Sequence, residues 1–153
     1  MNLFRKNKII LMDIDGVIAP ISRIDEPFTT VTTPWSTFII PNKILPFLSE
    51  IINKKGFYWS SSWGEMSNFI NSEFDIRDSQ FLTFDDNDSN MWLKEKTLVN
   101  FCNKNKKAHI LIVDDELPSD SELHTLSNVE IITPDPSFGL TKIECDKIEK
   151  WLK

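Results

Sequence analysis

Hydrophobic residues along the chain form short apolar runs that alternate with segments of helical periodicity. The runs have the length of buried β-strands, and the two that end before Asp13 and Asp114 are rich in Ile, Leu and Val. The five predicted strands are 8–13, 57–60, 80–84, 109–113 and 129–132. Because helical segments separate these runs, the pattern predicts an α/β fold with a Rossmann-like, doubly wound parallel sheet of about five strands.

The helical segments show apolar residues three and four positions apart, the spacing of a buried helix face. The clearest helix is predicted at 43–54, where the apolar positions are Ile44, Phe47, Leu48, Ile51 and Ile52. Another helix is predicted over 91–103, with Lys94 near its start. Two more segments carry capping-box pairs, Ser119 with Glu122 and Thr141 with Glu144, and we expect helices to begin there.

Residues 16–40 break the strand–helix alternation. The segment contains Pro20, Pro27 and Pro34 together with several threonines, which favours turns and extended pieces over a long helix. It predicts a β-hairpin-like flap or an ordered loop over the end of the first strand, too short to be a separate lid domain. A second irregular segment, the acidic run 85–90, is predicted to be a solvated loop, and the length fits one domain over 1–153.

Composition narrows the classes of function. The formal net charge is -6 and the sequence pI is about 4.9, which disfavours non-specific binding of nucleic acid through a basic surface but leaves room for a local basic patch. Cys102 and Cys145 lie in apolar-periodic helical segments, which predicts buried free thiols. The first apolar run is interrupted by Asp13 and Asp15, so it predicts neither a signal peptide nor a membrane span, and we expect a cytoplasmic monomer.

Polar residues follow three of the predicted strands directly. Asp13 and Asp15 come at the end of the first, Ser60–Ser62 at the end of the second, and Asp114 with Asp115 at the end of the fourth. Ligands of open α/β sheets bind beyond the carboxyl ends of the strands, so we expect these groups to converge. Close carboxylates repel each other unless a cation or a proton stabilises them, and Mg²⁺ prefers such hard oxygen ligands. Serine hydroxyls and a lysine suit a phosphate.

The segment 13–17, Asp-Ile-Asp-Gly-Val, resembles the first motif of the haloacid dehalogenase-like (HAD) phosphohydrolase superfamily. The order along the chain, an Asp-x-Asp pair, a serine, a lysine and an Asp-Asp pair, is similar to that of the superfamily. A closer resemblance is to a small group without a cap domain, found alongside nucleic-acid repair modules and predicted to act in RNA repair. The segments that carry it are 59–63, 92–94, 113–117 and 134–141.

The resemblance implies a role for each acidic residue. Asp13 is expected to be the nucleophile and a magnesium ligand. Asp15 is expected to be the general acid and base, with its main-chain carbonyl as a further ligand. Asp114 is expected to bind the metal directly, and Asp115 to bind it through water or to support it.

The resemblance also implies the groups that hold the phosphate. Ser61 best matches the serine of the second motif, because it comes two residues after a tryptophan. Ser62 is retained as a second phosphate-binding candidate, and Ser60 is not excluded. Lys94 matches the lysine of the third motif, with both a catalytic and a phosphate-binding role.

Together these features predict a magnesium-dependent phosphatase that hydrolyses phosphomonoesters through an aspartyl-phosphate. An open crevice favours a phosphate on a nucleic-acid end or on a nucleotide. Two alternatives remain: a catalytically idle HAD-like module that binds a phosphate or a partner, and a phosphoprotein phosphatase. Asp15 argues against the idle module, since binding alone does not require a general acid.

Overall fold

The computed structural model describes residues 7–73, 79–84 and 91–153. The strands are β1 (Lys8–Met12), β2 (Phe28–Thr32), β3 (Thr37–Pro41), β4 (Phe57–Trp59), β5 (Gln80–Phe81), β6 (His109–Val113) and β7 (Val129–Ile132). The α-helices are α1 (Leu45–Ile52), α2 (Asn68–Glu73), α3 (Glu95–Lys104) and α4 (Lys142–Leu152). Short 3₁₀ helices cover Asn42–Ile44, Gly64–Ser67 and Glu122–Thr125. The acidic segment 85–90, predicted as a solvated loop, lies outside the described residues.

Five strands form one parallel sheet, as the sequence predicts, and their order is β5-β4-β1-β6-β7. Strand β1 lies at the centre, and its side chains alternate between two hydrophobic cores. Ile10 and Met12 pack into the core that contains α1 and α4, whereas Ile9 and Leu11 pack into the core that contains α3. Because helices cover both faces, the sheet is doubly wound. From β1 the chain first adds β4 and β5 on one side and then β6 and β7 on the other, so the topological switch point lies between β1 and β6.

For residues 16–40 the sequence predicts either a β-hairpin-like flap or an ordered loop, and the structure has an antiparallel hairpin of β2 and β3 that ends at Pro41. Val31 and Ile40 are fully buried, so the hairpin belongs to the core on the α1 side. The hairpin also contacts Trp63, because the Phe38 ring of β3 lies against the Trp63 ring with centroids 4.3 Å apart. The hairpin is therefore packed onto the segment that follows β4.

Two predicted helix starts are displaced. Helix α3 begins at Glu95 with Lys94 as its N-cap, so the prediction of a helix from residue 91 was too early. The predicted capping box of Ser119 was wrong, because Ser121 is the N-cap and its hydroxyl accepts a hydrogen bond from the Leu123 amide. The same Ser121 hydroxyl donates to the buried Glu95 carboxylate, which binds this short helix to the start of α3.

Helix α4 begins as predicted, with the full capping box of Thr141 and Glu144. The longest described helix has 11 residues, and in the part of the chain that the structure describes no helix is long and apolar enough to cross a bilayer. The two cysteines are buried free thiols, in agreement with the prediction. Burial raises the pKa of Cys102 to about 12 and that of Cys145 to about 11.

The loop before α4 holds the turn that follows β1. The Leu140 amide donates to the Val17 carbonyl at 2.7 Å, and the Ile21 amide donates to the Pro136 carbonyl at 3.0 Å. Gly139 makes this approach possible, because its φ is 64° and a Cβ there would lie 2.4 Å from the Val17 carbonyl oxygen. The loop before α4 thus holds in place the turn after β1, which carries the candidate active-site residue Asp15.

We predict that Gly139→Ala lowers the free energy of unfolding more than Gly64→Ala does. Both glycines have a positive φ, so an alanine at either position costs about 1 kcal/mol in backbone strain. At Gly139 the new Cβ also meets the Val17 carbonyl, whereas at Gly64 its nearest neighbour is Thr83 Cγ2 at 3.8 Å. Denaturant unfolding of both variants measures the difference. Equal losses would show that the loop at Gly139 moves away from the turn at no cost.

Candidate active site

The functional residues predicted at the strand ends come from three adjacent strands. Asp13 follows β1, Ser60 and Ser61 follow β4, and Asp114 follows β6, while β1 lies between β4 and β6 in the sheet. The Asp13 amide donates to the Val113 carbonyl at 3.0 Å, and the Ser60 amide donates to the Met12 carbonyl at 2.7 Å. These bonds continue the ladder past the strand ends, so the side chains emerge at one edge of the sheet.

Lys94 joins the two buried aspartates. Its Nζ lies 2.6 Å from Asp13 Oδ2 and 2.6 Å from Asp114 Oδ2. The other oxygens accept from the main chain: Asp13 Oδ1 from the Ile14 amide at 2.7 Å, and Asp114 Oδ1 from the Glu116 amide at 2.9 Å. Every one of the four carboxylate oxygens is therefore hydrogen-bonded, as buried charges require.

The pKa values in this cluster reflect burial and mutual charge. Burial alone would lower the pKa of Lys94, but the carboxylates of Asp13 and Asp114 outweigh it and raise this pKa. Burial raises the pKa of Asp114 to about 6, although the Lys94 charge acts in the opposite direction. Burial, followed by the Asp13 charge, likewise raises the pKa of Asp115 to about 6. Lys94 thus stays charged at neutral pH, and further positive charge would stabilise the carboxylates.

Lys94 is held by its place at the start of α3 and by aromatic neighbours. It is the N-cap residue, and its Nζ lies 5.8 Å from the ring centroids of both Phe84 and Trp92. Aromatic faces attract a cation, and here they also exclude water from its stem. The lysine is 4% exposed, so it approaches the aspartates from within the protein.

Asp13, Asp114 and Asp115 form a group suited to a metal ion. Their ligand oxygens all lie within 4.8 Å of one another, and the carboxylate set matches the preference of Mg²⁺ for oxygen. Asp115 Oδ1 is buried and has no hydrogen-bond partner among the residues that the structure describes, which leaves it free for a cation. Gly16 provides the space, since a Cβ there would lie 2.3 Å from Asp115 Oδ2. The residues therefore fit the ion that the sequence predicts.

Asp15 lies apart from this carboxylate group. Its Oδ2 accepts a hydrogen bond of 2.8 Å from Trp63 Nε1, and the residue reaches solvent. The protein still surrounds enough of the carboxyl group for desolvation to raise its pKa; the Trp63 bond lowers this pKa and the Asp13 charge raises it. A raised pKa is what a proton donor near neutral pH needs. The predicted ligand atom of Asp15, its main-chain carbonyl, remains a prediction.

The three serines after β4 differ in burial. Ser61 is 1% exposed, and its Oγ accepts from the Trp63 amide at 3.3 Å. Ser60 is fully buried, and its Oγ has no partner within the described part of the chain, whereas Ser62 is exposed. Burial beside β1 favours Ser61 over Ser62 as the phosphate ligand, but the role of each remains a prediction.

The sequence assigned no role to two residues of this region. Trp63 ends the motif segment 59–63, but its contact with Asp15, 48 positions away, follows from no periodicity. Glu95 is 7% exposed and binds Ser121 Oγ at 2.7 Å and the Glu122 amide at 2.8 Å. Its carboxylate fixes the first turn of α3, and therefore the position of its neighbour Lys94.

The sheet order and the carboxylates at the ends of β1 and β6 place the chain in the HAD-like class of α/β phosphohydrolase folds. A family model described as "HAD domain in Swiss Army Knife RNA repair proteins" matches residues 9–145, and the chain belongs to this family. The resemblance inferred from the motifs is thereby confirmed. Comparisons with curated proteins and with solved structures give no match.

We predict that magnesium stabilises the fold more at about pH 7 than at about pH 5. A carboxyl whose folded pKa is raised from 3.8 to about 6 stabilises the fold at low pH, and this contribution is lost as the pH rises through about 6. A cation competes with those protons, so its effect grows over the same range. Thermal unfolding in chelator and in magnesium at both pH values measures this.

The matched variants for this prediction are Asp115→Asn and Asp120→Asn. Asp115→Asn should reduce the magnesium effect and its pH dependence, whereas Asp120 is exposed and should leave both unchanged. A magnesium effect that is equal at the two pH values, or larger in acid, would contradict the prediction.

Proposed function

We propose that the protein is a magnesium-dependent phosphatase that hydrolyses phosphomonoesters through an aspartyl-phosphate on Asp13. The observation that carries the proposal is the Asp13 carboxylate beyond the central strand, which contacts Lys94 and has a ligand oxygen within 4.8 Å of those of Asp114 and Asp115. A carboxylate held beside positive charge can accept an anionic phosphoryl group without prohibitive repulsion.

In the first half of the reaction, an oxygen of Asp13 forms a bond to phosphorus as the bond to the ester oxygen breaks. The leaving oxygen keeps the electron pair and takes a proton from Asp15. In the second half, Asp15 accepts a proton from water as that water attacks phosphorus. Phosphate then leaves, and the Asp13 carboxylate is restored.

Lys94 suits both the nucleophile and the phosphate. An ammonium group has three N–H donors, and two of them bind Asp13 and Asp114. The third can donate to a phosphoryl oxygen. Ser61 Oγ accepts from the Trp63 amide, so its own proton is available to a second phosphoryl oxygen.

A magnesium ion would be held by Asp13, Asp114 and Asp115, together with the main-chain carbonyl of Asp15. When bound, it would supply positive charge that reduces the repulsion between these carboxylates and the phosphate. Two observations support this assignment: Asp115 Oδ1 is unpartnered among the described residues, and Gly16 leaves space beside Asp115.

A nucleic-acid end or a nucleotide is the substrate class that we favour. The family is named for RNA repair proteins, and the described insert after β1 is a hairpin rather than a cap domain. An open crevice accommodates the end of a long chain, which a closed cap would exclude. A phosphorylated protein would also fit such a crevice, and it is the competitor that the experiments below address.

We predict that Asp13→Asn abolishes turnover with little change in the fold. The amide is nearly isosteric with the carboxylate but cannot attack phosphorus. Steady-state hydrolysis measures the loss, and beryllium fluoride should bind to the wild type at Asp13 but not to the variant. Asp120→Asn, a change of the same kind at an exposed residue, is the control. A rate near that of the wild type in Asp13→Asn would refute covalent catalysis at this residue.

We predict that phosphorylated RNA ends and nucleotides are hydrolysed with a higher kcat/KM than phosphopeptides. The measurement is phosphate release from a panel of 5′- and 3′-phosphorylated oligonucleotides, nucleoside monophosphates and phosphopeptides. Chelator should stop release from each substrate, and magnesium should restore it. A preference for the phosphopeptides would favour the phosphoprotein phosphatase instead, and full activity in chelator would remove the metal from the mechanism.

A further inference from the structure

We infer that Trp63 positions Asp15 for proton transfer, and that the β2–β3 hairpin holds Trp63 in place. The inference rests on the proposed role of Asp15 as general acid and base. It adds a positioning residue to the site, and it gives the hairpin a function in the reaction.

The first step is the hydrogen bond itself. Asp15 follows the fully buried Ile14 and reaches solvent. Without a partner, a carboxylate in such a position would be free to rotate. Trp63 Nε1 donates to Asp15 Oδ2 at 2.8 Å. Among the described residues, Trp63 is the one side chain bonded to this carboxylate. The indole therefore selects one orientation of a group that would otherwise sample several.

The second step concerns which oxygen carries the proton. An indole N–H is a donor only, so Asp15 Oδ2 must accept from it in either protonation state. A protonated carboxyl oxygen is a weaker acceptor than a carbonyl oxygen, so the bond to Oδ2 favours the proton on Oδ1. A single donor thus fixes both the direction of the carboxyl group and the oxygen that exchanges protons with the substrate and with water.

The third step is the support of the indole. Phe38 of β3 lies against the Trp63 ring at a centroid distance of 4.3 Å and an angle of 48°. The hairpin is itself anchored, because Val31 and Ile40 are fully buried. On the other side, the Trp63 amide donates to Ser61 Oγ, the predicted phosphate ligand. Trp63 therefore contacts Asp15, Ser61 and the β2–β3 hairpin.

A tryptophan that served packing alone would tolerate phenylalanine, which retains an aromatic ring but lacks the N–H. Trp35 offers a matched control in the same hairpin. It is 68% exposed, and its ring lies edge-on to Phe69 at 6.4 Å rather than against the acid. Trp63→Phe and Trp35→Phe make the same chemical change, and only the former removes a donor to Asp15.

The experiment compares these two variants with Asp15→Asn and the wild type in pre-steady-state hydrolysis. A nucleoside monophosphate has a poor leaving group that needs a proton, whereas 4-nitrophenyl phosphate hardly does. Trp63→Phe should slow formation of the intermediate about 10- to 100-fold with the nucleotide, the loss expected for one hydrogen bond to a charged group, and much less with the nitrophenyl ester. Decay of the intermediate should slow with both substrates, and Trp35→Phe should match the wild type.

A second measurement tests the geometry without activity. The chain has five tryptophans, and the Trp63 indole N–H resonance is the one that disappears from the ¹H–¹⁵N spectrum of Trp63→Phe. Asp15→Asn should shift this resonance and leave that of Trp35 unchanged. If Trp63→Phe fails to fold, Phe38→Leu retains the N–H but loosens its support, and it should give a smaller loss with the same dependence on the leaving group.

The outcomes separate this inference from the proposed function. If Trp63→Phe forms the intermediate at the wild-type rate with both substrates, or is slowed by the same factor with both, the positioning role is overturned. The proposed phosphatase activity would be unaffected by either result. An unshifted Trp63 resonance in Asp15→Asn would overturn the positioning role as well. A wild type that hydrolyses no phosphomonoester would overturn the proposed function, and the positioning role of Trp63 with it.

Discussion

The contact of Lys94 with Asp13 and Asp114 is the interaction on which the rest of the site depends. Two carboxylates buried at adjacent strand ends repel each other, and neither tolerates loss of solvent without compensation. The lysine supplies the compensation through two bonds of 2.6 Å. Its own position follows from the N-cap of α3, which the Glu95 carboxylate ties to Ser121. A hydrogen bond at the first turn of α3 therefore helps to position the charge that compensates the two aspartates.

The turn after β1 carries Asp15, so contacts with neighbouring segments have to hold this turn in position as well. Two main-chain bonds from the 134–140 loop and the close approach at Gly139 hold it on one side. On the other side, Gly16 lets Asp115 approach the main chain, and Trp63 reaches across from the segment after β4. Elements that are separated along the chain thus converge on a few residues. This convergence is typical of parallel sheets, whose strand ends meet at one edge.

The sequence predicts the parts of this arrangement that depend on local pattern. Apolar runs locate the strands, and the polar residues that end them are correctly expected at one edge of the sheet. Contacts between distant segments leave no such periodicity, so the bond from Trp63 to Asp15 could not be predicted. The same holds for the N-cap at Ser121 in place of Ser119, because the buried partner Glu95 decides between two serines of equal propensity. Local rules propose a helix start, and a tertiary hydrogen bond selects it.

The two aspartates of the Asp-x-Asp pair differ in the partner that the fold gives them. Asp13 contacts a cation and a main-chain amide in a site 6% exposed, surroundings that suit an ionised group able to attack phosphorus. Asp15 contacts a neutral donor at the solvent boundary, where desolvation raises its pKa and one oxygen stays free to gain and lose a proton. Groups of one chemical kind acquire separate roles when their environments differ in this way. In the proposed mechanism, the division of labour between nucleophile and acid follows from the neighbour that each carboxylate contacts, Lys94 for Asp13 and Trp63 for Asp15.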